Sequence, residues 1–145
     1  MKQLTQNLLL HLRQSVALWL FLLLLSLYLM TLGGQLFTSD GAAMYRATQA
    51  LVRYHTLAVA PDPGLPQLVI GWDGQTYSGY DLGQPLLAIP FYLLGWLLAR
   101  LLPHGNEMAL TVFSVSLLPQ VATALTGVVL YKLSFGLFRT QRIAI

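Results

Sequence analysis

Cysteine is absent from the 145 residues, and charge is scarce: 8 Lys and Arg against 5 Asp and Glu, 9% of the chain. Without cysteine there is no disulfide, no thiolate zinc site and no thiol nucleophile, and the redox compartment stays undetermined. A soluble domain carries about a quarter charged residues, so this scarcity excludes an ordinary soluble globule and a disordered tail. The few basic residues are scattered and form no stripe able to track a phosphate backbone, which excludes a nucleic-acid partner. What fills the space is apolar, 56% of the chain, and predicts an integral membrane protein.

The run from Val16 to Leu36 is leucine-rich and uncharged, long enough as a helix to cross the roughly 30 Å bilayer core. Lys2 and Arg13 precede it as in a secretory signal, but it exceeds a signal's apolar region and no A-x-A-like site follows. It reads as an uncleaved signal anchor, with residues 1–15 cytoplasmic and 16–36 the first span; Trp19 and Tyr28 are its interfacial or packing aromatics.

Two further apolar stretches, 85–102 and 108–137, flank a short polar break. If both crossed, Lys132, Arg139 and Arg142 would lie outside with Arg46 and Arg53. If only the second crosses, Lys2, Arg13, Lys132, Arg139 and Arg142 lie inside with no acid among them. All five acids (Asp40, Asp62, Asp73, Asp81 and Glu107) then lie outside. The positive-inside rule selects the second arrangement. Segment 85–102 also contains Pro90 and ends on Arg100; it is expected to be interfacial or re-entrant, the alternative being an ordinary short transmembrane helix. Segment 108–137 is the second span, with a kink expected at Pro119 and a bundle partner needed for Gln120. Residues 138–145 form a cytoplasmic end.

The loop 37–84 exceeds a simple connector. Thr38-Ser39-Asp40-Gly41 offers N-cap chemistry, and Asp40 itself sits where a cap would. Ala43, Ala47, Leu51 and Tyr54 then share one helical stripe and Arg46, Gln49 and Arg53 another, predicting a short amphipathic helix lying on the membrane surface. Pro61, Pro63 and Pro66 break regular structure. Residues 67–78, with Asp73-Gly74 between two β-rich runs, predict a hairpin in which Asp73 is a turn residue. The fold class is therefore all-α and membrane-integral: two transmembrane helices, an interfacial or re-entrant helix, and an outer subdomain of one amphipathic helix and a β-hairpin. His11 falls near the inner face, and His55 and His104 fall outside, so no pair could hold a cofactor within the bundle.

Three segments carry a resemblance: 38–45 (Thr-Ser-Asp-Gly-Ala-Ala-Met-Tyr), 71–78 (Gly-Trp-Asp-Gly-Gln-Thr-Tyr-Ser) and 82–90 (Leu-Gly-Gln-Pro-Leu-Leu-Ala-Ile-Pro). In order and spacing they resemble the first extracytoplasmic loop of GT-C-type glycosyltransferases, the polyprenyl-phosphate-sugar-dependent enzymes related to protein O-mannosyltransferases and aminoarabinose transferases. The resemblance implies a catalytic role for Asp40 as general base on an acceptor hydroxyl, or in some members as part of a divalent-metal site. It also implies a cationic contact for the lipid phosphate, for which Arg46 and Arg53 are the candidates; Asp81 is a further substrate-binding candidate. Relatives often carry a basic residue around positions 79–81 where this chain has none. Arg46 and Arg53 also fit a solvated face or headgroup anchors.

Such enzymes use many more spans than this chain holds. The expectation is a truncated or N-terminal module, inactive alone, in a bacterial inner or plasma membrane, with lipids, a polyprenyl-phosphate sugar and further transmembrane helices or subunits as partners. The alternative is a small non-catalytic subunit packed against a larger membrane complex. Single cysteines placed at Ser39, His104 and Thr140 test the topology: an impermeant reagent added outside is expected to label the first two only, and labelling of position 104 from inside alone would restore three crossings.

Overall fold

The computed structural model describes residues 2–34, 36 and 38–138, excepting the side chains of 2–15 and 138. The predicted cytoplasmic end beyond 138, with Arg139, Thr140 and Arg142, lies outside the described residues, as do the side chains of Lys2, His11 and Arg13. Four helices and one hairpin follow in order: α1 (Lys2–Met30), α2 (Ser39–Tyr54), β1 (Leu68–Ile70), β2 (Thr76–Ser78), α3 (Gly83–Leu101) and α4 (Glu107–Phe138). Helices α3 and α4 are long and apolar enough to cross a membrane; in α1 the described apolar stretch is the shorter Val16–Met30. The chain divides into two units, residues 33–118 and the pair 1–32 with 119–145.

In the second of these, α1 and the C-terminal half of α4 meet through small residues. Ala17 and Ala124 are buried, and a Cβ on Gly127 would fall 2.3 Å from Leu24 Cδ1. The outward faces carry Leu18, Trp19, Leu23, Leu27, Val129, Leu130 and Leu133. Hydroxyls there bond back to their own helices, Ser26 to Leu23 O, Thr123 to Pro119 O and Thr126 to Ala122 O at 2.7–2.9 Å, so these three donors need no partner from outside their helix. Gln120 Oε1 and Tyr131 Oη are buried without a partner, so the partner expected for Gln120 is not supplied by the described residues. The first helix stops at Met30 rather than Leu36: Thr31 and Leu32 N–H turn back to Tyr28 and Leu29 O at 3.2 Å, and Gly34 follows at φ +64°, a left-handed residue that ends a helix.

In unit 33–118, Thr38 caps α2 by accepting the Gly41 N–H at 3.0 Å. Asp40 sits in the first turn and Arg53 in the last, each matched to the helix dipole, and His55 closes the helix at φ 53°. The buried face of α2 is Ala43, Tyr45, Ala47, Thr48 and Ala50, while Tyr54 is exposed. This corrects the predicted stripe, and the cause is packing on two sides. Ala47 and Ala50 meet Val59 and Leu68 on the hairpin side, and Tyr45 meets Ala88, Tyr92 and Val115 of α3 and α4. Protein, not the membrane surface, covers this face.

The hairpin pairs Leu68 with Ser78 and Ile70 with Thr76. Gly74 N–H reaches Gly71 O at 3.0 Å, Gly71 N–H reaches Gln75 O at 2.8 Å, and Gly74 has φ +77°. The connection is thus a three-residue loop, Trp72-Asp73-Gly74, closed by a left-handed glycine and one residue longer than a two-residue Asp-Gly turn. Asp73 is a turn residue as predicted. It accepts from Gln75 N–H and from Tyr77 Oη, and the Tyr77 hydrogen bond, followed by the Gln75 one, holds its carboxyl below the ordinary 3.8.

Helices α3 and α4 are joined by residues 102–106, with Asn106 Oδ1 accepting the Ala109 N–H at 3.1 Å as the cap of α4. They cross at Gly95, where a Cβ would lie 2.5 Å from Leu110 O and 2.6 Å from Thr111 Cα. No side chain fits. Gly95→Ala is expected to lower stability by about 1–3 kcal/mol through overpacking, read as a drop in the thermal midpoint in detergent; an unchanged midpoint would contradict this crossing.

Candidate functional site

Asp40 is exposed on the first turn of α2, eight residues past the last described turn residue of α1. Its Oδ1 accepts the Tyr80 hydroxyl at 2.6 Å, which ties the start of α2 to the segment leading into α3. The neighbouring Ser39 Oγ accepts from Gln67 Nε2 at 2.5 Å, so the hairpin braces the same turn. The Tyr80 phenol is raised above its ordinary 10.0, first by this hydrogen bond to Asp40 and then by partial desolvation. Asp81 is exposed beside Tyr80. Tyr80 thereby brings Asp40 and the Asp81 segment to one place.

The two arginines lie elsewhere. Arg46 pairs with Asp62 at 2.5 Å, both half-buried. Arg53 is thirteen residues from Asp40, about 20 Å along the helix. Its Nε donates to Tyr92 Oη at 2.8 Å and its Nη2 pairs with Glu107. General base and phosphate candidates therefore do not form a single cluster. Among the described residues no three His, Cys, Asp or Glu side chains come together to hold a metal ion.

No family model, curated protein or solved structure matches the chain.

Around Arg53 that geometry holds more than the sequence signalled. Tyr92 is fully buried, its ring 5.9 Å from that of Tyr45. Tyr45 Oη lies 2.7 Å from Thr111 Oγ1, and the Thr111 proton goes to Glu107 O at 2.8 Å, which makes Tyr45 the donor. Burial raises the Tyr45 phenol above 10.0, with the Thr111 hydrogen bond opposing. Beside this network, Val52, Arg53, Tyr92, Leu93, Trp96 and Arg100 line a groove of about 410 Å³. Arg100 and Tyr92 carried no signal in sequence beyond their types; a basic residue ending an apolar helix, one turn after a Trp, was the available clue.

The Tyr80 bond fixes a pH dependence. A phenol raised in the folded chain adds stability that is fully present below its ordinary 10.0 and is lost as pH rises through the raised value. Replacing Asp40 by Ala is expected to bring Tyr80 back toward 10.0, seen as earlier phenolate absorbance on alkaline titration against a Tyr80→Phe blank; an unmoved titration would show that the bond does not persist in solution.

Proposed function

We propose that the chain is a membrane module of glycosyltransferase type, facing the extracytoplasmic side of a plasma membrane, in which Asp40 accepts a proton from an acceptor hydroxyl. The acceptor oxygen attacks the anomeric carbon of a polyprenyl-phosphate sugar. A new C–O bond to the acceptor forms, the bond to the phosphate oxygen breaks, and the polyprenyl phosphate leaves with the electron pair while Asp40 takes the proton. The observation that carries this reading is the state of Asp40: exposed at the start of α2 and oriented by Tyr80 through Oδ1. A base positioned in this way is oriented before substrate arrives.

In this reading α1 and α4 cross the membrane, both ends are cytoplasmic, and α3 lies in the outer interface. The packing of α2 supports that placement of α3. Thr48 Oγ1 donates to Pro85 O at 3.2 Å near the start of α3, and Arg53 and Tyr54 reach the level of Trp96 and Arg100 at its end. A helix carrying Arg46, Gln49 and Arg53 thus runs beside α3 for most of its length, a poor neighbour for a segment crossing hydrocarbon. Leu86, Leu87, Leu93, Leu94, Leu97 and Leu101 form the exposed stripe on the other side of α3, suited to lie in the acyl boundary.

Replacing Asp40 by Asn in cells that depend on the chain is expected to lower sugar transfer by about 10²-fold or more, with the lipid-linked donor accumulating and the protein's abundance unchanged. Asp62→Asn serves as the control. Normal transfer with the Asn variant at normal abundance would overturn the catalytic role.

A further inference from the structure

The groove at the end of α2 is built from parts that the proposed chemistry at Asp40 leaves unused. Two guanidiniums face it. Arg53 is held by Tyr92 and Glu107, so its position is fixed and much of its charge is offset. Arg100 is exposed, lies with Cζ 3.8 Å from the Trp96 ring centroid, and has no acidic partner among the described residues. Stacking on the indole fixes the guanidinium plane and leaves its N–H edge for a ligand. The groove therefore keeps one uncompensated positive charge. Its walls, Val52, Leu93 and the Trp96 ring, are apolar, and the exposed leucines 93, 94, 97 and 101 continue that surface along α3.

A cation edge at one end of an apolar track fits a ligand with an anionic head and a hydrocarbon tail. We infer that this groove binds the headgroup phosphate of an anionic phospholipid of the surrounding bilayer, with Arg100 as the principal contact, Arg53 as the second, and the acyl chains along the leucine stripe of α3. A zwitterionic headgroup brings its own cation to a site that already has one, and is disfavoured. A free phosphate gains the charge contacts but not the apolar track. The bound lipid would hold α3 at headgroup level, with Trp96 at the depth where indoles gather. The inference rests on the interfacial placement of α3 and not on glycosyl transfer, which the test below does not involve.

The test uses the full chain in uncharged detergent with Trp19 and Trp72 changed to Phe, so that Trp96 is the sole indole. Short-chain phosphatidylglycerol, short-chain phosphatidylcholine and inorganic phosphate are titrated separately while Trp96 emission is followed, and native mass spectrometry counts the retained lipid. A saturable response to phosphatidylglycerol is expected, with the other two at least about tenfold weaker, the scale of one charge-assisted contact. Arg100→Gln should weaken phosphatidylglycerol by about tenfold in both readouts, whereas Lys132→Gln, which removes the same charge far along α4, should leave it unchanged. Equal binding of phosphatidylcholine, or an equal loss in both variants, would overturn the site. Inorganic phosphate binding as tightly as the lipid would overturn the lipid as its ligand, and an unaltered Arg100→Gln variant would overturn the role of Arg100.

Discussion

The hydroxyl of Tyr92 sets the terms for the unit that contains it. The residue has no exposed surface, and a buried hydroxyl without a partner costs about 1–3 kcal/mol. Its partner is the Nε–H of Arg53, whose own charge is met by Glu107. Tyr45, its ring tilted at 45° to that of Tyr92, meets the same requirement through Thr111. These bonds link α2, α3 and the start of α4, so none of the three can slide without leaving a polar group unpaired in the core. The small face of α2 and the bare backbone at Gly95 let the helices come close enough for the bonds to form.

From that lock follow two separate ends of one helix. The N-terminal turn of α2 presents Asp40, braced by Tyr80 and by the Ser39–Gln67 bond. The C-terminal turn presents Arg53 beside Trp96 and Arg100. The helix separates them, so the carboxylate of Asp40 and the cationic groove stand about 20 Å apart. One small substrate cannot bridge both, and the two proposals accordingly assign them separate roles.

Much of the fold was legible because local signals and tertiary packing agree. Segment 108–137 became α4 at 107–138, and Thr38 with its neighbours announced the start of α2. Asp73-Gly74 marked the hairpin, although the loop also takes in Trp72, which dipeptide chemistry alone does not reveal. The end of α1 was misjudged because hydropathy continues past Met30 while the backbone turns at Gly34. The buried stripe of α2 was misjudged because a helix packed on two sides buries a wide face of small residues, and periodicity assumes one neighbour. At the candidate site, Asp40 was legible from its place at a helix start. Its tie to Tyr80, forty residues on, and the grouping of Arg53, Tyr92 and Arg100 depend on tertiary contacts that no spacing encodes.

The reading stands or falls on where α3 sits. Spin labels placed singly at positions 86, 93, 97 and 101 in reconstituted bilayers report depth through the balance of oxygen and water-soluble nickel collisions. An interfacial α3, with α2 along its other face, predicts four similar, shallow depths on the one exposed stripe. Depths that run steadily from one headgroup layer through the bilayer centre to the other would contradict it.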